Sequence, residues 1–203
     1  MSMARDAQRR CRVGLLSSDQ TARVAAAVGV PPELVDRNLF RVLLHRPRVA
    51  KAINELLYAH LFDAALDGRL RELVIMRIGW LTGCDYEWTQ HWTVAQSAFG
   101  CSPDDLLAVR DWRSAERFGE AEWAVLAATD EIIDSGTLSA ETWARCRLHL
   151  GSADACVELV TAIATWHLIS QVARGLEIPV EVGVASWPPD GVAPTGAGRR
   201  WGA

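Results

Sequence analysis

The sequence predicts an all-α protein, and three observations lead there. Apolar residues recur three and four positions apart through most of the 203 residues, the period of a helix that buries one face. Proline, glycine and Ser/Asp-rich breaks divide that pattern into segments joined by connections short enough for packed antiparallel neighbours. A single stretch, Ile178 to Val184, alternates instead, and its Val180, Val182 and Val184 predict at most one short extended segment.

Taken in order, Pro31-Pro32-Glu33 opens a helix whose stripe is Leu34, Val35, Leu39, Phe40, Val42 and Leu43. Pro47 stops it and starts a longer helix through Ile53, Leu56, Leu57, His60, Leu61 and Ala64, ending near Asp67-Gly68. Arg69 to Leu81 is the third and Cys84 to Phe99 the fourth, separated by Thr82-Gly83. Ser102-Pro103-Asp104-Asp105 has the form of a cap for a short helix through Leu106, Leu107 and Val109. Glu120 to Ile133 ends in Ser135-Gly136, Ser139-Ala140-Glu141 starts a helix that runs to Gly151, and Ala153 to Leu176 is the last.

Composition narrows the function. The chain is 50% hydrophobic, 23% charged and formally −4, which excludes a disordered chain and argues against a dedicated nucleic-acid binder. A domain of this size hides about 70% of its unfolded surface. No unbroken apolar run reaches the ~18 residues of a membrane helix, so no membrane partner is expected. Residues 1–18 read as a basic arm, with four arginines against one aspartate in the first twelve. No apolar core of a secretory signal follows. Residues 19–184 form the helical domain, and 185–203, rich in Pro, Gly and Ala, a tail or loosely docked arm. Cys11, Cys84, Cys101, Cys146 and Cys156 are an odd, scattered set, read as reduced thiols in a cytoplasmic protein.

Two helices carry chemistry. Leu73 to Leu81 (LVIMRIGWL) contains Arg77 as its one charge and should be buried on most sides, with Glu72 at its start. In the next helix, Thr82 and Asp85 fit a capping box that would put Cys84 in the first turn. Cys84, Glu87, Trp88, His91, Val94, Ala95 and Ala98 then fall on one face. Three polar groups on a face meant for burial are costly unless they bond to each other or to a ligand. Glu87 and His91, four apart, could pair, the carboxylate orienting the ring and raising its proton affinity. The helix N-terminus would favour a Cys84 thiolate while Glu87 opposes it. A buried pair that merely ties helices together is the competing reading. A metal site with Cys84, Glu72 or His60 as further ligands is another, although no second ligand pair has standard spacing.

The spacing Glu72, Cys84, Glu87, His91 within ELVIMRIGWLTGCDYEWTQH resembles the motif of the carboxymuconolactone decarboxylase and alkylhydroperoxidase D superfamily. The resemblance runs from about Leu39 to Ile178, through LHRPRV, FGEAEWAVLAATDEI and ELVTAIATWHLISQVA. It implies an all-helical bundle assembling as homo-oligomeric trimers or hexamers, often an enzyme. The peroxidase branch carries Cys-x-x-Cys with the second cysteine as the peroxidatic thiol. Here that position is Glu87, and Cys84 has no resolving thiol within one turn. The sequence therefore points to the decarboxylase-like branch.

The expected function is cofactor-independent proton transfer on a small carbonyl, lactone or aromatic-type substrate, with decarboxylation, isomerisation or cyclisation as outcomes. His91 is the acid/base, Glu87 its partner, Glu72 a buried carboxylate completing the relay, and Cys84 a polar contact. Trp88, Trp80, Tyr86, His167 and Arg77 are the expected substrate contacts, the indoles as walls and Arg77 for a carboxylate. No metal or cofactor is expected, and no Gly-rich phosphate loop is present. An alkylhydroperoxidase-type enzyme using Cys84 and a non-catalytic oligomer binding a hydrophobic ligand are the alternatives.

Overall fold

The computed structural model describes residues 11–195; most of the basic arm and the end of the tail lie outside them. We number the helices α1 (Ser18–Val28), α2 (Asn38–Leu43), α3 (Pro47–Phe62), α4 (Gly68–Thr82), α5 (Asp85–Phe99), α6 (Pro103–Ala108), α7 (Glu120–Ser135), α8 (Ala140–Leu150) and α9 (Ala153–Gly175), with 3₁₀ turns at Pro32–Leu34 and Val109–Ser114. No described residue is in a strand.

The architecture follows from α4. Every residue from Leu70 to Gly79 is buried, as a helix apolar nearly all round must be, and α5, α7 and α9 pack against it. Leu73, Ile75, Met76 and Ile78 meet Trp88, Leu126, Leu159 and Trp166 in the main core. Asp67 caps α4, its Oδ1 accepting from Leu70 N–H at 3.0 Å. The pair Asp67-Gly68 thus begins α4 rather than ending α3, which stops at Phe62. By length and mean hydropathy α9 could cross a membrane, but half of that stretch is buried inside the protein. Its threonines and lone Glu158 break the apolar run without making the helix polar.

Three sequence expectations change. The helix expected from Leu34 to Leu43 divides into a 3₁₀ turn and α2, because Asn38 is held from outside: its backbone N–H donates to Glu181 and its side chain to the Pro179 carbonyl. Helix α1 was not anticipated, although Ser17 and Gln20 form a capping box at its start. Ile178 to Val184 turns at Glu181, with Val184 N–H on the Glu181 carbonyl, since no neighbouring strand offers it a ladder. The tail, as far as it is described, is docked: Trp187 N–H donates to Asp85 and Thr89, Trp88 Nε1–H to the Pro188 carbonyl, and Arg110 pairs with Asp190.

Candidate active site

The Thr82–Asp85 capping box does not form. Thr82 is the last residue of α4 and its hydroxyl donates back to the Ile78 carbonyl at 2.7 Å. Gly83 follows at φ 68°, a conformation costly for residues with a Cβ, and Cys84 is the N-cap of α5 rather than part of its first turn. The two helices therefore fold back on each other across two residues, Gly83 and Cys84. Gly79 lets them close: a Cβ there would lie 3.2 Å from Trp88 N and 3.5 Å from Glu87 Cβ.

This close approach decides the partner of His91. Its Nδ1 lies 2.8 Å from Glu72 Oε2, so the carboxylate that orients the ring comes from α4, not from Glu87 one turn earlier. Trp166 of α9 donates its indole N–H to His91 Nε2 at 3.3 Å. An indole only donates, so Nε2 accepts and the neutral ring carries its proton on Nδ1, towards Glu72. Burial disfavours the imidazolium, yet the charge and hydrogen bond of Glu72, with the charge of Glu87, outweigh burial and hold His91 above the usual 6.5.

Glu72 is completely buried, and its other oxygen meets a buried cation. Arg71 Nη2 lies 3.5 Å from Glu72 Oε1, Arg71 Nη1 donates to the His60 carbonyl at 2.9 Å, and the guanidinium stacks on Phe99 at 4.5 Å. The sequence reading missed Arg71 and Phe99. Arg71 stands beside Glu72 in the chain, and a buried carboxylate demands a counter-charge, so this one signal was available.

Glu87 is buried, and its Oε2 has no hydrogen-bond partner. Burial above all, with the Glu72 charge adding and that of His91 opposing, pushes its carboxyl up to about 7. Cys84 is pushed up to about 12 by burial and by the Glu87 charge; the Glu87 backbone N–H, the Ser170 hydroxyl and Arg174 oppose this without prevailing. At neutral pH it is a thiol: of the two opposing influences expected, the helix N-terminus and the Glu87 carboxylate, the carboxylate prevails, with burial as the larger cause.

Thus the structure brings Glu72, Cys84, Glu87 and His91 together. The expected substrate contacts are mostly scaffold. Arg77 is buried and four of its five N–H donors are taken, by Asp130 (2.7 and 3.0 Å) and by the Val109 and Arg110 carbonyls, so it ties α4 to its neighbours rather than presenting a fork to a substrate carboxylate. The Tyr86 hydroxyl is tied to Leu39 N–H and Glu181. Trp80 and Trp88 pack on each other, on Trp187 and under Arg110. His167 is half-buried beside Gln171, at 3.2 Å. His60 lies behind the site, its Nε2 3.3 Å from Thr165 Oγ1 and its ring 5.5 Å from that of Trp166.

Residues 47–131 match the carboxymuconolactone decarboxylase family, a span that holds all four site residues. No curated protein matches the sequence. Several solved structures share the fold. A protein of unknown function from Agrobacterium tumefaciens, grouped with AhpD antioxidant defence proteins, is 22% identical over 70% of this chain and 96% of its own, with a TM-score of 0.62. A peroxidase-related protein from Ralstonia eutropha JMP134 with an alkylhydroperoxidase AhpD core is 17% identical over 82% and 87%, at 0.65. The debrominase Bmp8, as a cysteine-to-alanine variant in complex with 2,3,4-tribromopyrrole, is 17% identical over 80% and 84%, at 0.61. The match to the carboxymuconolactone decarboxylase family is thus confined to residues 47–131, where it spans the glutamate–histidine pair across adjacent core helices, and the all-α fold is the one shared with the AhpD-like structures.

Proposed function

We propose that this protein is an acid/base enzyme that moves a proton on a small carbonyl, lactone or aromatic-type substrate, with His91 as the proton-transfer group. The family supports an enzymatic or antioxidant-type role at a general level. The contact that carries the finer reading is the 2.8 Å Glu72–His91 bond. It fixes the ring proton on Nδ1 and leaves Nε2, held only by a long indole contact, as the basic atom a substrate would meet. Substrate entry exchanges the Trp166 N–H for a C–H or O–H donor. Nε2 takes that proton, the electron pair moves onto the substrate oxygen, and Glu72 offsets the imidazolium charge. Glu87, poised near neutrality, is the second proton carrier.

A thiol-peroxidase cycle needs a thiolate and a resolving thiol. Cys84 is held as a thiol and the position one turn on is Glu87, so the redox alternative has the weaker support. In the non-catalytic alternative the same residues contact an apolar ligand without turnover.

The test is proton exchange. In D₂O, deuterium incorporation next to the carbonyl of small ketones and lactones, followed by NMR, should fall ~10²–10⁴-fold in His91→Asn, with melting temperature recorded on the same samples. A folded His91→Asn protein that exchanges at the full rate overturns the mechanism. Absence of exchange in the native protein across the panel, with ligand binding retained, supports the non-catalytic reading.

A further inference from the structure

Glu72, His91 and Trp166 account for one level of the seam between α5 and α9. A second level, one turn away, is not accounted for. The Trp166–His91 contact and the proximity of Ser170 to Cys84 set the two helices antiparallel, and Glu87 stands between His91 and Cys84 on α5. At this level Glu87 Oε2 has no hydrogen-bond partner, and Ser170 Oγ has none but the Cys84 thiol beside it. Ser170 is completely buried and Glu87 nearly so.

Ser170 is unusual among the helical hydroxyls here. Thr82, Thr129, Thr161 and Thr165 each donate back to the carbonyl four residues earlier, the ordinary resort of a buried hydroxyl in a helix. Ser170 does not, and what it faces is a thiol, a poor acceptor. Buried polar atoms left unpaired mark places where another molecule completes the bonding.

We propose that Ser170 and Glu87 together bind the carbonyl oxygen of an uncharged substrate, a ketone, ester or lactone, each donating one hydrogen bond, with His91 one turn away at the carbon that exchanges its proton. The substrate class rests on the proton-transfer reading above. Ser170 is a donor at any pH, and Glu87 is one while protonated, below about 7. The charged and titratable groups around it are Glu72 from α4 and Cys84, Tyr86 and His91 from its own helix; Arg71 acts on His91 and Arg174 on Cys84. The neighbouring Glu72 charge disfavours a second anion, so a neutral oxygen is selected over a carboxylate. Two donors on one oxygen would also favour the negative charge that grows on it as the proton leaves carbon.

The test uses γ-butyrolactone as probe and tetrahydrofuran, the same ring without the carbonyl, as control, with affinities from ligand-observed NMR between pH 6 and 8.5. The lactone should bind at least tenfold more tightly than the ether, and its affinity should fall as pH rises through about 7. Ser170→Ala should weaken lactone binding about 5–10-fold, the equivalent of one net hydrogen bond. Glu87→Gln keeps a donor that does not titrate, so lactone binding should persist and become flat with pH. If Ser170→Ala does not fold, Ser170→Cys, with a weaker donor of similar size, gives the same readout. Equal binding of lactone and ether, no lactone binding, native affinity in Ser170→Ala, or an unchanged pH dependence in Glu87→Gln would each overturn the proposal. His91→Asn separates the two readings: if it abolishes exchange while Ser170→Ala binds normally, the carbonyl site is wrong and the acid/base function stands.

Discussion

Replacing Glu87 by glutamine should stabilise the protein, and increasingly so as pH rises above 4.5. The carboxyl is buried, one oxygen is unpaired, and its folded-state value is about 7 against an ordinary 4.5. Below 4.5 both folded and unfolded chains hold the proton and Glu87 costs nothing electrostatically. Between 4.5 and about 7 the unfolded chain gives up its proton while the folded one keeps it, so stability falls as pH rises. At roughly 1.4 kcal/mol per pH unit for a difference of one proton, the penalty is about 1 kcal/mol at pH 5 and about 3 kcal/mol by pH 8. Glutamine has the shape of the protonated acid and cannot ionise. Urea unfolding of both proteins at pH 5, 6, 7 and 8 should therefore show curves about 1 kcal/mol apart at pH 5 and diverging to about 3 kcal/mol. A constant difference across that range, or a variant less stable at pH 8, would show that Glu87 ionises freely in the folded protein and would refute the reasoning.

Three further outcomes follow from the same contacts. Gly79→Ala gains helix propensity of about 1 kcal/mol, but its Cβ meets backbone at Trp88 N, 3.2 Å away. We expect a net loss of about 1–2 kcal/mol and a drop in exchange activity, seen by urea unfolding and NMR; an unaltered enzyme would show that the close approach is dispensable. All five cysteines are buried and free, so iodoacetamide at pH 8 should leave the native protein unlabelled on a timescale that labels the urea-unfolded chain fully. Rapid selective labelling of Cys84 by mass spectrometry would restore the redox reading. Phe62, Leu148 and Val157 are each more than 60% exposed on α3, α8 and α9, apolar surface of the kind subunits cover. Light scattering at micromolar concentration should give a trimer or hexamer mass, and a monomer would contradict that reading.

The helices were largely legible because the signals that define them are local. Ser102 with Asp105, Ser139, and glycine at 136 and 151 mark ends that the structure places where the sequence put them. The buried face of α5 was legible over its first two turns, where Cys84, Glu87 and Trp88 are buried and His91 half-buried, but not beyond them: Val94 and Ala98, projected onto the same face, are exposed although Ala95 between them is buried. The partner of His91 was not. Glu87 lies nearer in sequence, but the interhelical approach through Gly79 puts Glu72, nineteen residues away, at 2.8 Å. A helical projection shows which side chains share a face; it does not show which helix that face meets. The contact of Trp166 with His91, and the place of Ser170, were not legible for the same reason, both residues being on a helix 75 or more residues further on. The docked tail was missed because its anchors, Glu181, Trp187 and Asp190, act one at a time and leave no periodic trace.

The Glu87 and His91 positions also explain each other. Arg71 and Glu72 form one buried pair of opposite charges, which leaves His91 and Glu87 to share whatever proton the site holds near neutrality. Each tunes the other: an ionised Glu87 raises His91, and a protonated His91 lowers Glu87. Strong coupling makes the apparent constants properties of the pair rather than of either residue. Neutral Glu87 beside neutral His91, and ionised Glu87 beside imidazolium, differ only by moving one proton across one helical turn. A cysteine at position 87 would separate that arrangement into a thiol and a base suited to redox chemistry. A carboxyl there keeps both members of the pair within reach of neutrality, and the stability lost to burying Glu87 is what sustains the poise.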